Sequence, residues 1–261
     1  MTTKQRVVLV SAGSRGIGLA AVEHFLSLGH AVSLCSRDAD SVAMVVDRLS
    51  KANPDRVSGL AGDIGDGAFL ERLVGETKRR FGRVDILVAN NGGPPPGTTE
   101  EVSESQWSDA VARNLMSAVR LTRLVAPMMK ENRWGRIIHL ASTTGKEPDD
   151  GMALSNVTRA AVMAFAKTTS RELGPSGITV NTVLTGAVLT DRLRSLIRGD
   201  AKMSDAELNA AIAGAAAAFP VRYIPEPAEF ARILGFLASE EASYLTGVAL
   251  PLDGGYTRGI A

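Results

Sequence analysis

The strongest constraint on the fold is a regular alternation between short β-branched runs and longer stretches with helical spacing. Seven short runs, at residues 7–11, 31–35, 57–61, 84–89, 136–141, 178–183 and 248–252, are apolar with little polar alternation. Such runs are typical of strands buried on both faces, as in a parallel sheet covered by helices. Strand followed by helix along the whole chain implies right-handed crossovers. The sequence therefore predicts an α/β fold with a doubly wound parallel sheet of about seven strands.

Helical spacing is clearest at residues 18–28 and 155–173, which place apolar side chains on one face. No Pro/Ser-rich linker interrupts the alternation, so residues 1–261 are predicted to form a single domain.

Two segments break the alternation, and both follow a predicted strand. Residues 92–97 read GGPPPG, and residues 190–220 include the alanine-rich run 210–218. In doubly wound sheets, loops at the carboxyl ends of the strands border the ligand crevice. Both segments are therefore predicted as walls or lids of that crevice, with residues 190–220 as the substrate lid. The alternative for the alanine run is a tightly packed helix.

Composition narrows the class of protein further. The chain has 29 basic and 28 acidic residues without a block of like charge, which argues against a nucleic-acid partner. Cys35 is the only cysteine and the three histidines are scattered, so neither a disulfide framework nor a metal site is expected. The apolar run near the N-terminus is too short and too interrupted for a signal peptide or membrane span. We expect a cytoplasmic protein without a membrane partner, with Cys35 and His139 packed in the core.

The first predicted strand runs directly into a glycine-rich loop and then a helix. Glycines let the backbone approach a pyrophosphate, whose charge is stabilised at the helix N-terminus. The literal GxGxxG spacing is absent, but the position in the first strand–helix turn is that of a dinucleotide-binding loop. The alternative is a turn that only permits tight packing. The sequence thus predicts a Rossmann-like domain whose loop binds a cofactor through Gly13, Ser14, Arg15, Gly16, Ile17 and Gly18.

Further motifs follow in order along the chain. They are Asp63-Ile64, Ala89-Asn90-Asn91-Gly92, Val180-Asn181, Thr185-Gly186, Thr190, Thr246-Gly247 and Leu252-Asp253-Gly254-Gly255. With these motifs, nearly the whole chain resembles the short-chain dehydrogenase/reductase family, especially the 3-oxoacyl-carrier-protein reductase type. It departs from the family's TGxxxGxG pattern, because Ser11 and Ala12 stand where Thr and the first Gly belong.

The resemblance implies a nicotinamide cofactor and a small-molecule carbonyl or alcohol substrate. It also implies a homotetramer, or a homodimer, in which the helices after strands four and five pair. The further cofactor contacts that it implies are Asp63 and Ile64 at the adenine, with Asn90, Gly92, Gly186 and Val188.

The cofactor preference follows from the end of the second strand. An acidic residue there would bind the ribose 2′-hydroxyl of NAD and repel a 2′-phosphate. The resemblance places Ser36 at that position, followed by Arg37, with Arg15 in the glycine loop. A hydroxyl and two guanidinium groups suit a phosphate, so NADP(H) is preferred over NAD(H). The alternative is a pair of solvated surface arginines.

The resemblance fails at the catalytic positions. The family's tetrad of Asn, Ser and Tyr-x-x-x-Lys maps onto Asn114, Ser142, Ser155 and Arg159. No shift of register restores the tyrosine, because the only tyrosines are Tyr223, Tyr244 and Tyr256. In the family, Tyr donates a proton to the carbonyl oxygen, while Lys lowers the Tyr pKa and holds the nicotinamide ribose. A serine hydroxyl is a weaker acid and shorter, whereas Arg159 can still bind ribose hydroxyls.

Three interpretations of this altered tetrad remain open. The first is an NADP(H)-dependent oxidoreductase whose acid is Ser142, a water, or Tyr223 or Tyr256 brought in by a loop or neighbouring subunit. The second is a catalytically inactive NADP(H)-binding sensor or partner subunit. The third is a non-redox enzyme such as a lyase or dehalogenase, since halohydrin dehalogenases also have Arg at the Lys position. Losing a general acid typically costs about 10²–10⁴-fold in rate, so slow ketoreduction is the leading expectation.

Overall fold

The computed structural model describes residues 5–199 and 203–259, and within them seven strands form one sheet. All pairs of neighbouring strands are parallel, in the order β3-β2-β1-β4-β5-β6-β7. The predicted α/β fold with a doubly wound sheet is confirmed. The strands are β1 (Val7–Val10), β2 (Ala31–Ser36), β3 (Val57–Ala61), β4 (Ile86–Ala89), β5 (Gly135–Ser142), β6 (Ile178–Thr185) and β7 (Ala249–Leu252).

Nine α-helices in the described part of the chain connect and cover these strands. Polar side chains define where several begin: the carboxylates of Asp38 and Asp66 accept from backbone amides at the starts of α2 and α3. The helices are α1 (Gly16–Ser27), α2 (Ala39–Ser50), α3 (Gly67–Phe81), α4 (Glu104–Ala110), α5 (Ser117–Glu131), α6 (Ala153–Leu173), α7 (Asp191–Arg198), α8 (Asp205–Ala216) and α9 (Pro227–Leu237). No helix within the described residues is long and apolar enough to cross a membrane.

Apolar side chains are buried on both faces of the sheet. On one face, α1, α2 and α9 contribute residues such as Phe25 and Phe230. On the other face, α3, α5 and α6 contribute residues such as Phe69 and Leu121. The strand order reverses between β1 and β4, and in such sheets the ligand crevice opens at this point, outside the carboxyl ends of the strands.

Cys35 and His139 both lie in the core, as predicted. Burial raises the pKa of the Cys35 thiol to about 12, so it is a packing residue and not a nucleophile. His139 is fully buried in β5 with its ring edge against Phe165, and neither ring nitrogen has a hydrogen-bond partner among the described residues. Burial lowers the pKa of His139 from 6.5 to about 4, so the folded protein holds it neutral.

Because His139 is buried in its neutral form, we expect the free energy of unfolding to fall in mild acid. The unfolded chain binds a proton at this residue below about pH 6.5, and the folded chain only below about pH 4. His139 therefore lowers the free energy of unfolding by about 1.4 kcal/mol for each pH unit by which the pH drops from about 6.5 to about 4, and it has no such effect above that range. Denaturant unfolding of wild type and His139→Leu across pH 4–7 should show a shallower pH dependence for the variant. The partly exposed His24, replaced by Gln, serves as the control and should change the slope less. Parallel curves for wild type and His139→Leu would contradict this assignment.

Candidate active site

A cavity of about 790 Å³ opens at the carboxyl ends of the strands. All the residues predicted to bind cofactor or catalyse line it, with the exception of Gly13 and Gly18. Those that line it are Ser14, Arg15, Gly16, Ile17, Ser36, Arg37, Asp63, Ile64, Asn90, Gly92, Asn114, Ser142, Ser155, Arg159, Gly186 and Val188. The topology thus brings together side chains that are far apart in the sequence.

Gly13 and Gly18 lie behind the cavity wall. A Cβ on Gly18 would lie 2.1 Å from the Ala12 carbonyl oxygen, and one on Gly13 would lie 2.9 Å from Leu34 Cβ. Gly13 therefore allows the loop to approach β2 closely, and Gly18 allows α1 to pack against the backbone of the loop. The sequence pattern did not distinguish this packing role from direct contact with a ligand.

The substitutions in the glycine loop leave its connection to β4 intact. Ser11 Oγ donates to the Asn90 carbonyl oxygen at 2.6 Å and accepts from the Asn90 amide at 2.9 Å. Ala12 has a φ of +48°, a left-handed conformation that costs a non-glycine residue about 1–2 kcal/mol. Gly16 has a φ of +56° and tolerates it freely.

The N-terminus of α1 is electrostatically suited to an anion. No side chain caps its amides, and its first turn contains no acidic residue. Free N-terminal amides together with the helix dipole form an anion site. The N-cap residue Arg15 lines the same part of the cavity.

Arg15, at the start of α1, and Arg37, after the last residue of β2, line the cavity together with Ser36. Neither makes an ion pair within 4.0 Å among residues 5–199 and 203–259. Both side chains are exposed and line the cavity. They are therefore free to bind a ligand oxyanion.

Asp63 is held by an arginine that the sequence did not single out. Arg113 donates to the Asp63 carboxylate at 2.9–3.2 Å, and the Gly65 amide donates at 2.9 Å. Burial raises the pKa of Asp63, but these hydrogen bonds outweigh it, so the pKa lies below its usual range. Fifty residues separate the partners, and only the fold reveals the pair.

Asn114 lies in a π-helical turn, Val111–Met116, between α4 and α5. Its Nδ2 donates to Thr158 Oγ1 at 2.9 Å. Thr158 immediately precedes Arg159 on α6, so this bond ties the π-helical turn to the helix that carries Ser155 and Arg159. Turns of this kind are frequent at functional sites.

The two tetrad serines are connected through Thr144. The Thr144 amide donates to Ser142 Oγ at 3.3 Å, and the Thr144 and Ser155 hydroxyls are hydrogen-bonded at 2.9 Å. Ser142 Oγ only accepts in this contact and donates to no group among the described residues, so its proton is available to a ligand. Ser155 is buried, and its short side chain leaves the cavity open where a phenol would extend.

All three tyrosines fall within the described residues, and none lines this cavity. Tyr223 donates to Glu229 at 3.3 Å and lines a second cavity of about 460 Å³. Tyr256 packs against Phe219, and Tyr244 is fully exposed. In this conformation of the single chain, no tyrosine replaces the missing acid.

Arg159 is a buried guanidinium without a counter-ion among the described residues. Its Nη1 donates to the Leu140 carbonyl oxygen at 2.8 Å, whereas Nε has no partner in the described part of the chain. Burial lowers the pKa of Arg159 to about 10, helped by the positive charge of Arg192. The group therefore stays protonated at neutral pH.

Arg192, at the start of α7, joins the two segments predicted as walls or lids. It donates to the carbonyl oxygens of Gly93 and Pro94 at 2.8 and 3.0 Å. Residues 92–95 and much of 190–196 line the cavity. Sequence reasoning placed this arginine inside the predicted lid but did not identify it as a site residue.

The alanine-rich run, residues 210–218, was predicted to lie either in the wall or lid of the cavity or in a tightly packed helix, and its position differs from both. It begins within α8, but none of its described residues lines the cavity, and most of its alanines are exposed. The prediction of a tightly packed helix is therefore wrong for the single chain. Alanine favours a helix whatever surrounds it, so composition alone could not indicate burial.

Comparisons with known proteins agree with this architecture. A family model described as enoyl-(acyl carrier protein) reductase matches residues 11–257. The 3-oxoacyl-[acyl-carrier-protein] reductase FabG of Escherichia coli strain K12 is 33% identical over 255 residues, covering 98% of both chains. The corresponding reductase MabA of Mycobacterium avium is 31% identical over 254 residues, covering 97% of this chain and 91% of that one. The crystal structure of L-sorbose reductase from Gluconobacter frateurii, complexed with NADPH and L-sorbose, superposes with a TM-score of 0.91 at 30% identity, covering 98% of both chains.

Proposed function

The chain belongs to the short-chain dehydrogenase/reductase family, as an oxidoreductase of the 3-oxoacyl-carrier-protein reductase type, and we propose that it is an NADP(H)-dependent ketoreductase with an altered tetrad. One observation carries this proposal. A single cavity extends from Arg15 and Arg37, which make no ion pair within the described residues, to the side chains at the four tetrad positions.

Two features of the cavity fit the cofactor, and a structural relative supports the assignment. The uncapped α1 N-terminus, with Gly16 in the left-handed conformation, would hold the pyrophosphate. Arg15 and Arg37 would bind a 2′-phosphate, and Ser36 would not repel it, which favours NADP(H) over NAD(H). L-sorbose reductase, a structural relative, binds NADPH. The remaining contacts would be Asp63 and Ile64 at the adenine and Arg159 at the nicotinamide ribose, with further cofactor contacts from Asn90, Gly92, Gly186 and Val188.

The chain's own residues would then position the substrate carbonyl. NADPH supplies the hydride when it is bound. The Ser142 hydroxyl, whose oxygen accepts from the Thr144 amide, would donate its proton to the carbonyl oxygen. Asn114 would organise water at the site, held in place by Thr158. Ser155, linked to Thr144, is too weak an acid for rapid proton transfer, so the proton would come from water at a reduced rate.

A second candidate is an NADP(H)-binding sensor or partner subunit without turnover. The observation that favours it is the absence of any tyrosine from the cavity of the single chain. Both candidates share the cofactor site and differ only in catalysis.

NADPH oxidation on a broad panel of small carbonyl compounds tests the proposal. We expect slow, enzyme-dependent oxidation that falls further in Ser142→Ala. Tight NADPH binding without oxidation of any compound would contradict the ketoreductase and favour the non-catalytic candidate.

The proposal also covers the cellular location, the domain organisation and the assembly of the protein. The chain would act in the cytoplasm as a single domain, with a lid formed by residues 190–196, most of which line the cavity. It would assemble as a homotetramer, or a homodimer, through α5 and α6. Val157 on α6 is 55% exposed in the single chain, as an apolar residue at a subunit contact would be. Size-exclusion chromatography with light scattering gives the mass of the assembly, and a monomer would contradict it.

A further inference from the structure

We infer that the substrate carries a carboxylate, which Arg159 and Arg192 bind at the tetrad end of the cavity. This inference rests on the proposed function and adds the chemical class of its substrate.

The positive charge of Arg159 is not balanced within the described residues. Its side chain is 6% exposed, and its only hydrogen bond among the described residues is to a neutral carbonyl. Burying an uncompensated charge costs several kcal/mol, so buried arginines normally have a carboxylate partner. Arg136, the other deeply buried arginine, has one in Glu240 at 3.5 Å. Arg159 faces the cavity instead, where a ligand can supply the missing negative charge.

Arg192 adds a second positive charge at this end of the cavity. It also lines the cavity, and its hydrogen bonds go to the neutral carbonyls of Gly93 and Pro94. Its charge acts on Arg159, because it contributes to the lowered pKa of that guanidinium. Two like charges at one end of a cavity repel each other, and an anion between or beside them relieves this repulsion.

The acidic residues that line the cavity do not neutralise this pair. Asp63 and Asp109 are both bound by Arg113, at 2.9 and 3.3 Å. Asp191 lies in the first turn of α7, where the helix dipole stabilises it, and within the described residues it makes no ion pair with either arginine.

The chemistry of the guanidinium selects a carboxylate. Arginine presents a planar fork that binds a carboxylate through two parallel hydrogen bonds. Ribose hydroxyls accept hydrogen bonds but do not neutralise a charge, and the pyrophosphate is expected at the α1 N-terminus. Ser155 lies one helical turn before Arg159 on the same face of α6, and its small side chain leaves room beside the guanidinium. A free oxo acid therefore fits this end of the cavity better than a neutral ester or thioester.

Paired ligands test the inference by equilibrium binding. The probes are 2-oxo, 3-oxo and 4-oxo acids of four to six carbons, each beside its methyl ester, titrated into the protein with and without saturating NADP⁺. We expect at least one acid to bind about 10–100-fold more tightly than its ester, since hydrogen bonds to charged groups contribute about 1.5–3 kcal/mol. Arg159→Gln should abolish this preference and Arg192→Gln should reduce it. Arg159→Lys should retain part of it. The control is Arg171→Gln, which replaces an exposed arginine on α6 away from the cavity and should leave the preference for the acid unchanged.

Each variant is also titrated with NADPH, which separates the inference from the proposed function. If every acid binds as tightly as its ester, or if neither binds, the inference is overturned. NADPH binding by the same proteins would then still support the cofactor site. Weakened NADPH binding in Arg159→Gln with an unchanged acid preference would assign Arg159 to the ribose alone and also overturn the inference. Because Arg192 is exposed, its variant remains informative even if Arg159→Gln fails to fold.

Discussion

Replacing Ser155 by tyrosine and Arg159 by lysine in one variant is expected to raise the rate of neutral ketone reduction by about 10²-fold or more. A phenol titrates near pH 10, and a neighbouring ammonium group lowers that pKa towards the working range. Ser155 lines the cavity, so the tyrosine ring would extend into open space beside Ser142. The measurement is kcat/KM for NADPH oxidation on the carbonyl panel.

The matched control for this variant is Ser155→Phe with Arg159→Lys. It adds the same ring and the same cation without the acidic hydroxyl. If both double variants gain rate equally, the effect comes from packing and not from proton donation. No gain in the tyrosine variant would count against a site derived from a ketoreductase.

Replacing Arg15 and Arg37 together by glutamine is expected to weaken NADPH binding by about 10²-fold or more, while NADH binding changes little. Each charge-assisted contact to a phosphate contributes about 1.5–3 kcal/mol, which corresponds to about 10–100-fold in affinity. Both side chains are exposed, which favours the lower end of that range. Fluorescence titration of wild type and variant with each nucleotide measures the two affinities.

Arg171→Gln serves again as a control, because it removes an exposed arginine from a surface away from the cavity. A parallel loss of NADPH and NADH binding in the double variant would indicate that the two arginines support the loop itself. Unchanged binding of both nucleotides would mean that they are ordinary surface residues.

The fold was largely predictable because its signals are local. β-branched runs buried on both faces define the strands, and β3 coincides with the predicted residues 57–61. The sequence could not show which glycines pack tightly against the backbone. A glycine that faces a ligand and a glycine that faces a backbone carbonyl follow the same sequence pattern. Gly18 illustrates this, since its neighbour is the Ala12 carbonyl oxygen.

The candidate site was predictable only where a residue follows a strand or belongs to a motif. The Asp63–Arg113 pair and the Arg192 contact with Gly93 join residues 50 and 99 positions apart. No periodicity or motif connects these partners. They meet because the carboxyl ends of parallel strands converge on one edge of the sheet.

The most direct test of the central claim is a fluorescence titration of the wild-type protein with NADPH, run in parallel with NADH. The account predicts saturable binding of NADPH that is markedly tighter than that of NADH. Failure of both nucleotides to bind would contradict the assignment of the cavity, and with it both the ketoreductase and the non-catalytic NADP(H)-binding protein.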